Sequence, residues 1–191
     1  MKVKVILGLV GEIASGKDTV ANYLAVKYHS QTISFSEPLR QILNILGLPQ
    51  NRQNLVWLGV DLGARFGQDI LAKVITNMVQ ASQTQIICLP NVRLESDIIF
   101  LENLPGFYLI GIETDQVLRY QRLVLREQNT DDQTKSWEEF LADSQLPTEI
   151  AIGEMARRAT FNIDNNGELA ELYGQVEHIM ASILKVKGLI K

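Results

Sequence analysis

Cysteine is almost absent from this chain. Cys88 is the only one in 191 residues, so no intramolecular disulfide can form and no cysteine cluster can hold zinc. It lies in the apolar run Gln85-Ile-Ile-Cys-Leu89 and reads as a small buried hydrophobe. Histidine is scarce too. His29 and His178 are isolated, and each reads as a helix-surface residue rather than a catalyst. No apolar run is long enough to span a membrane. There is no basic excess: 18 Lys and Arg stand against 22 Asp and Glu, a net charge of -4. That argues against a general nucleic-acid binder, because no overall field gathers phosphates, although a local basic pocket stays open. Internal repeats and low-complexity linkers are lacking. The N-terminus, with lysines at 2 and 4, runs straight into a glycine-rich loop rather than a signal peptide, and a cytoplasmic location is the expectation. What remains is an ordinary globular balance, 46% hydrophobic and 21% charged, on a length that suits one domain with a small appendage.

Residues Gly11 to Thr19 read Gly-Glu-Ile-Ala-Ser-Gly-Lys-Asp-Thr. They follow the apolar run 3–10 and lead into a helical pattern. This is the glycine, four residues, glycine, lysine spacing of a phosphate-binding loop, in the strand–loop–helix setting such a loop needs. Gly11 and Gly16 let the backbone turn tightly and approach a polyphosphate. The successive N–H groups of Ile13, Ala14, Ser15 and Gly16 point inward, and the next helix offers its positive end. Lys17 reaches the outer phosphates. Asp18 stands where Ser or Thr normally holds magnesium, and the hydroxyl comes one residue later at Thr19.

Short apolar runs alternate with longer helical patterns. Strands are expected at 3–10, Thr32–Phe35, Gln85–Leu89, Phe107–Ile112 and Thr160–Ile163. Helices are expected at 17–28, from Pro38 to near Gly47, at 53–62 with a break around Gly63, at Gln68–Ala81, Leu94–Asn103 and Glu168–Leu184. Another runs from a cap at Thr114 or Asp115 to Arg126. This order predicts an open, mainly parallel sheet with helices on both faces, and ligands beyond the C-terminal ends of the strands. Residues 127–148 break the rhythm with a polar stretch and a short helix at Trp137-Glu-Glu-Phe-Leu141, which suits a lid insert.

Three further clusters follow strand ends. In Ser34-Phe-Ser-Glu-Pro-Leu-Arg40, Arg40 can fork onto an acceptor phosphate, and Glu37 can accept from a sugar or base or hold an arginine. The same residues also make a helix start. In Asn91-Val-Arg93, Asn91 occupies a place where an acid normally orients magnesium through water, and Asp18 can restore the missing charge. Arg93 reads as a phosphate contact or as a surface ion pair with Glu95 or Asp97. Arg119, Arg122 and Arg126 share one helical face, as a phosphate clamp or a solvated basic stripe. Arg65 stands alone after Gly63.

Two resemblances gather these pieces. Ser15-Gly-Lys-Asp-Thr-Val-Ala21, Ser34 to Arg40, Trp57-Leu-Gly-Val-Asp61 with Arg65, and Asn91-Val-Arg93 resemble deoxynucleoside monophosphate kinases. The run Arg119 to Arg126, Asp131-Asp132, Trp137-Glu-Glu-Phe140 and Ile152-Gly-Glu154 through Asn165-Asn-Gly167 is similar to dephospho-CoA kinase-like and adenylate-kinase-related P-loop proteins. The resemblance implies a three-layer P-loop NTPase sandwich with a five-stranded sheet and a small helical lid in a single domain, 1–191. It implies ATP and magnesium, with the Asn162–Gly167 region, and so Asn165, near the donor base. On this reading Lys17 and the loop hold the donor with support from Arg119, and Asp18, Thr19 and Asn91 arrange the metal. Glu37, Arg40, Arg65 and Arg93 hold the acceptor. Lys17, Arg93, Arg122 and Arg126 serve transfer. The expected activity is phosphoryl transfer to a (deoxy)nucleoside monophosphate, by a monomer or homodimer that engages neither nucleic acid nor membrane. Dephospho-CoA is the rival acceptor. A regulatory nucleotide binder that lost transfer is the rival class.

Overall fold

A computed structural model of the protein describes residues 4–125, 133 and 135–188. Strand β1 (Val5–Val10) leads to α1 (Lys17–Tyr28), β2 (Gln31–Thr32), α2 (Glu37–Ile45), α3 (Arg52–Phe66) and α4 (Ile70–Ala81). Next come β3 (Ile86–Leu89), α5 (Glu95–Leu101), β4 (Phe107–Glu113) and α6 (Gln116–Leu125). The chain ends in α7 (Trp137–Ser144), α8 (Pro147–Arg157), β5 (Phe161–Asp164) and α9 (Leu169–Val186). The five strands pair in the order β2-β3-β1-β4-β5, every pair parallel.

β1 is buried along its whole length because helices cover both faces of the sheet. Its side chains alternate between two cores. Val5, Leu7 and Leu9 pack with Leu24 of α1 and with Val176 and Met180 of α9. Ile6 and Val10 pack with Ile75 of α4, Leu101 of α5 and Met155 of α8. Gly8 fills the gap in the second row, because a Cβ there would lie 2.8 Å from the Phe107 ring. A third, smaller core of Leu39, Leu43 and Leu58 holds α2 to α3, with Leu71 of α4 packed against it. From β1 the chain moves to β2 and β3 on one side and then to β4 and β5 on the other. The switch point therefore lies at the C-terminal end of β1, where the glycine loop begins. At the opposite edge Lys4 donates to the carbonyls of Val79 (2.5 Å) and Ser82 (2.7 Å), closing the C-terminal end of α4.

The structure differs from the sequence expectation at three places. The Thr32–Phe35 strand is only Gln31–Thr32, with one further bond from Ile33 N–H to the Cys88 carbonyl. Serine chemistry takes over there: Glu37 N–H bonds the Ser34 carbonyl and Ser36 N–H bonds the Ser34 hydroxyl, turning the edge strand into α2. The expected break at Gly63 does not occur. α3 runs through it and stops at Gly67, whose φ of +100° suits glycine. The segment before β5 adds a helix that the sequence pattern did not separate, α8, with proline in its first turn. Within the expected 127–148 insert, α7 starts from a Ser136–Glu139 capping box and buries Phe140 to 1% exposure. Arg126, Asp131 and Asp132 lie outside the described residues. No helix among those described is long and apolar enough to cross a membrane.

Candidate nucleotide site

The glycine loop is held in shape by the ends of its neighbouring strands. Ala14 (φ 60°) and Gly16 (φ +103°) both adopt left-handed backbone, which reverses the chain between β1 and α1. Gly16 is the N-cap of α1, and a Cβ there would collide with the side-chain nitrogen of Asn165. A Cβ on Gly11 would stand 2.6 Å from the Ile112 carbonyl. The Ser15 carbonyl accepts from Thr114 Oγ1 (3.0 Å) and from Asn165 Nδ2 (2.8 Å), and Asn165 N–H bonds the Glu113 carbonyl (2.9 Å). Thr114 therefore braces the loop rather than serving as a side-chain helix cap. The Ser15 hydroxyl is buried with no hydrogen-bond partner. Lys17 donates to the carbonyls of Gly11 (2.6 Å) and Glu12 (2.8 Å), laying its ammonium along the rim of its own loop.

Asp18 and Thr19 occupy the first turn of α1. Asp18 is exposed. Its carboxylate acts on the Cys88 thiol, which burial first and Asp18 second push up to about 12. The Asn91 loop is tied back by Val92 N–H on the Leu9 carbonyl (3.3 Å). Asn91 is half-buried and Arg93 is exposed. The ion-pair alternative for Arg93 is not realised: Glu95 pairs with Arg158 (2.7 Å), and Asp97 turns inward to accept from the main-chain N–H groups of Leu94 and Arg93. Asp97 is 4% exposed, and burial raises its carboxyl to about 6.

The arginines of α6 divide. Arg119 is buried at 4% exposure; it donates to the Thr114 carbonyl (3.1 Å) and pairs with Glu12 Oε1 (2.9 Å) over the Phe140 ring. Arg122 donates to the Asn165 carbonyl (3.0 Å) and lines a cavity of about 140 Å³ with Gly16, Thr19, Gly167, Leu169 and Leu172. Arg122, Leu169 and Leu172 share its lining, and it lies beside the loop on the Asn165–Gly167 side. Gly11 to Thr19, Arg119, Arg122 and Asn165 are therefore brought together. Glu37, Arg40, Arg65 and Arg93 are not joined to one another: Glu37 accepts from Gln41 (3.0 Å), Arg40 reaches the Gln50 carbonyl (3.4 Å), and Arg65 is exposed near the end of α3. Sequence reading passed over Glu12, and gave Asp97 only as a possible surface partner of Arg93. The signal for Glu12 was present, since a carboxylate inside an anion cradle needs a cation nearby.

No family model matches the chain. Among curated proteins it is 26% identical over 179 residues to a UPF0200 protein of Methanoregula boonei, covering 93% of this chain and 97% of that one. It is 24% identical over 185 residues to UPF0200 protein YG5714_1176 of Saccharolobus islandicus, covering 96% and 95%. Among solved structures it resembles TT1252 from Thermus thermophilus (TM-score 0.64, 20% identity, 95% and 98% covered). It also resembles shikimate kinase from Bacteroides thetaiotaomicron (TM-score 0.60, 12% identity, 94% and 98%) and a gluconokinase from Sinorhizobium meliloti (TM-score 0.54, 16% identity, 99% and 98%). A parallel sheet in the order 2-3-1-4-5, with a glycine loop at its central strand, gives this chain the α/β fold of the small-molecule P-loop kinases.

Proposed function

We propose that this protein is an ATP-dependent phosphotransferase whose acceptor is a (deoxy)nucleoside monophosphate. The observation that carries the reading is the glycine loop at the end of β1, bent through left-handed Ala14 and Gly16 and braced by Thr114 and Asn165. Such a bend turns main-chain N–H groups toward one point, which suits a polyphosphate. Lys17 already lies on the loop's rim, where its ammonium can exchange loop carbonyls for phosphate oxygens. The cavity beside Arg122 suits the donor's base, since a planar guanidinium and leucine side chains can face the two sides of a ring.

The donor set also fits magnesium. Among the described residues no group of three His, Cys, Asp or Glu forms a metal cage. Magnesium in such sites takes one or two protein oxygens and completes its shell from phosphates and water. Asp18 and Thr19 would hold it, and Asn91 would orient its water. Bound magnesium neutralises charge on the transferred group. Arg93, on the loop after β3, and Arg40 and Arg65, on α2 and α3, would hold the acceptor with Glu37. Arg122 would neutralise the charge that develops in transfer, as would Arg126, which lies outside the described residues. A cytoplasmic location accompanies this reading.

The test is ADP release from MgATP with a panel of ribo- and deoxyribonucleoside monophosphates, dephospho-CoA, shikimate and gluconate. Turnover with a nucleoside monophosphate and none with the other acceptors is the expected result. Turnover with dephospho-CoA alone would instead assign the rival acceptor suggested by the second half of the chain. A second reading rests on Asn91, an uncharged residue at a metal-orienting position. It is a regulatory nucleotide binder, expected to bind ATP tightly and yield no product from any acceptor.

A further inference from the structure

A carboxylate as the second residue of a phosphate cradle is electrostatically awkward, because it sits beside the charge the loop must receive. The structure resolves this by direction and by pairing. The Glu12 side chain leaves the cradle toward α8, where a Cβ on Gly153 would lie 3.9 Å from its carboxyl carbon. Its Oε1 is held by Arg119, a guanidinium that is almost wholly buried. That one guanidinium also bonds the Thr114 carbonyl at the end of β4 and approaches the Ile13 carbonyl at 3.5 Å. It therefore joins the apex of the loop to the first turns of α6. One turn further on, Arg122 leaves the same helix into the donor cavity. The far face of Arg119 lies on Phe140, which packs with Tyr120 and Trp137 and so ties α7 to α6.

We propose that Glu12 is a positioning residue that, through Arg119, sets α6 against the loop so that Arg122 faces the donor nucleotide. The inference rests on the nucleotide-site reading above. Glu12 is held twice, at its carbonyl by Lys17 and at its carboxylate by Arg119. An arriving triphosphate draws Lys17 away, and the Arg119 pair then keeps the apex and α6 in register. The cation suits the task, because a buried guanidinium with a carboxylate partner has a fixed direction that a lysine would lack. Glu12 touches no reacting atom in this scheme; it acts through the helix.

The experiment uses the full chain carrying Trp57→Phe, which leaves Trp137, beside Phe140, as the only tryptophan. Its emission, calorimetry with MgATP and amide hydrogen exchange over 116–125 are compared for that parent, Glu12→Gln and Glu113→Gln. The last removes the same charge from the end of β4. In Glu12→Gln the nucleotide is expected to bind about tenfold more weakly, the ATP-induced change in Trp137 emission to disappear, and exchange in α6 to rise, with far-UV circular dichroism preserved. Glu113→Gln is expected to match the parent. Glu12→Asp, charged but one methylene shorter, should recover part of the affinity and of the exchange protection. Parent-like binding, emission and exchange in Glu12→Gln would overturn the proposal, as would an equal loss in Glu113→Gln. If the parent itself gives no heat with MgATP, the nucleotide reading fails. The exchange measurement needs no ligand and still decides whether Glu12 holds α6.

Discussion

Two residues concentrate the chemistry at the smallest scale. Lys17 is the one cation in the sequence motif of the loop, and its ammonium bonds two loop carbonyls. Replacing it by alanine is expected to lower turnover about 10²–10³-fold, the usual effect of removing a donor aimed at developing charge. Unchanged turnover in an ADP-release assay would remove Lys17 from the mechanism. Asp97 acts differently. Its buried carboxyl has its pKa raised from 3.8 to about 6, so between pH 4 and 6 the folded chain keeps a proton that the unfolded chain releases. The contribution of this group to stability is therefore fullest below pH 4 and is lost as pH rises through 6. The whole shift corresponds to about 3 kcal/mol. Asp97→Asn removes that dependence, so urea unfolding at pH 4.5 and pH 7 should show the variant gaining on the parent as pH rises. A constant difference between the two proteins at both pH values would contradict this account.

At the scale of elements, glycines separate what a helix tolerates from what the loop demands. Gly174 lies within α9, exposed, with nothing within 4 Å of where a Cβ would stand. Gly174→Ala is expected to stabilise the protein by about 0.5–1 kcal/mol, because glycine loses more backbone freedom on folding than alanine. Gly16→Ala faces a positive φ and a collision with Asn165 at once, so the loop must deform. Its expected effect is loss of ATP binding by calorimetry with the far-UV spectrum retained. A Gly16→Ala protein that binds ATP like the parent would show that this backbone bend is not the cradle. Gly63 shows why the glycine signal alone misled: inside α3 it provides close approach to Gln68, and the terminating conformation belongs to Gly67.

For the molecule as a whole, two apolar layers clamp a sheet whose central strand emerges at the glycine loop. The loop is tied to the ends of β4 and β5 through Thr114 and Asn165, so the proposed site exists only in the folded chain and a nucleotide held there is expected to raise global stability. On the proposed function, MgATP at a hundred times its dissociation constant is expected to stabilise the folded state by about 2.7 kcal/mol. For a chain of this size that corresponds to a rise in Tm of roughly 5–10 °C. Differential scanning fluorimetry of the parent beside Lys17→Ala should show the rise in the first and a smaller one in the second. Equal midpoints with and without MgATP would argue against a nucleotide site at the loop. The small core between α2 and α3 also takes in Leu71 of α4, which joins the two helices to the layer that covers the sheet.

Local information in the sequence was enough for the parallel sheet, most helix positions and the glycine loop. These follow from apolar periodicity and from a spacing whose geometry is carried by neighbouring residues. The short β2 and the continuous α3 were not legible, because a serine turn at a sheet edge and a contact between Gly63 and Gln68 outweighed propensity. Nor were the separate fates of Arg119 and Arg122. Helical spacing placed both on one face, but only packing against Phe140 and Glu12 buried the first and left the second lining the cavity. Charge pairing across more than a hundred residues has no periodicity to betray it, so the partner of Glu12 was decided by the fold.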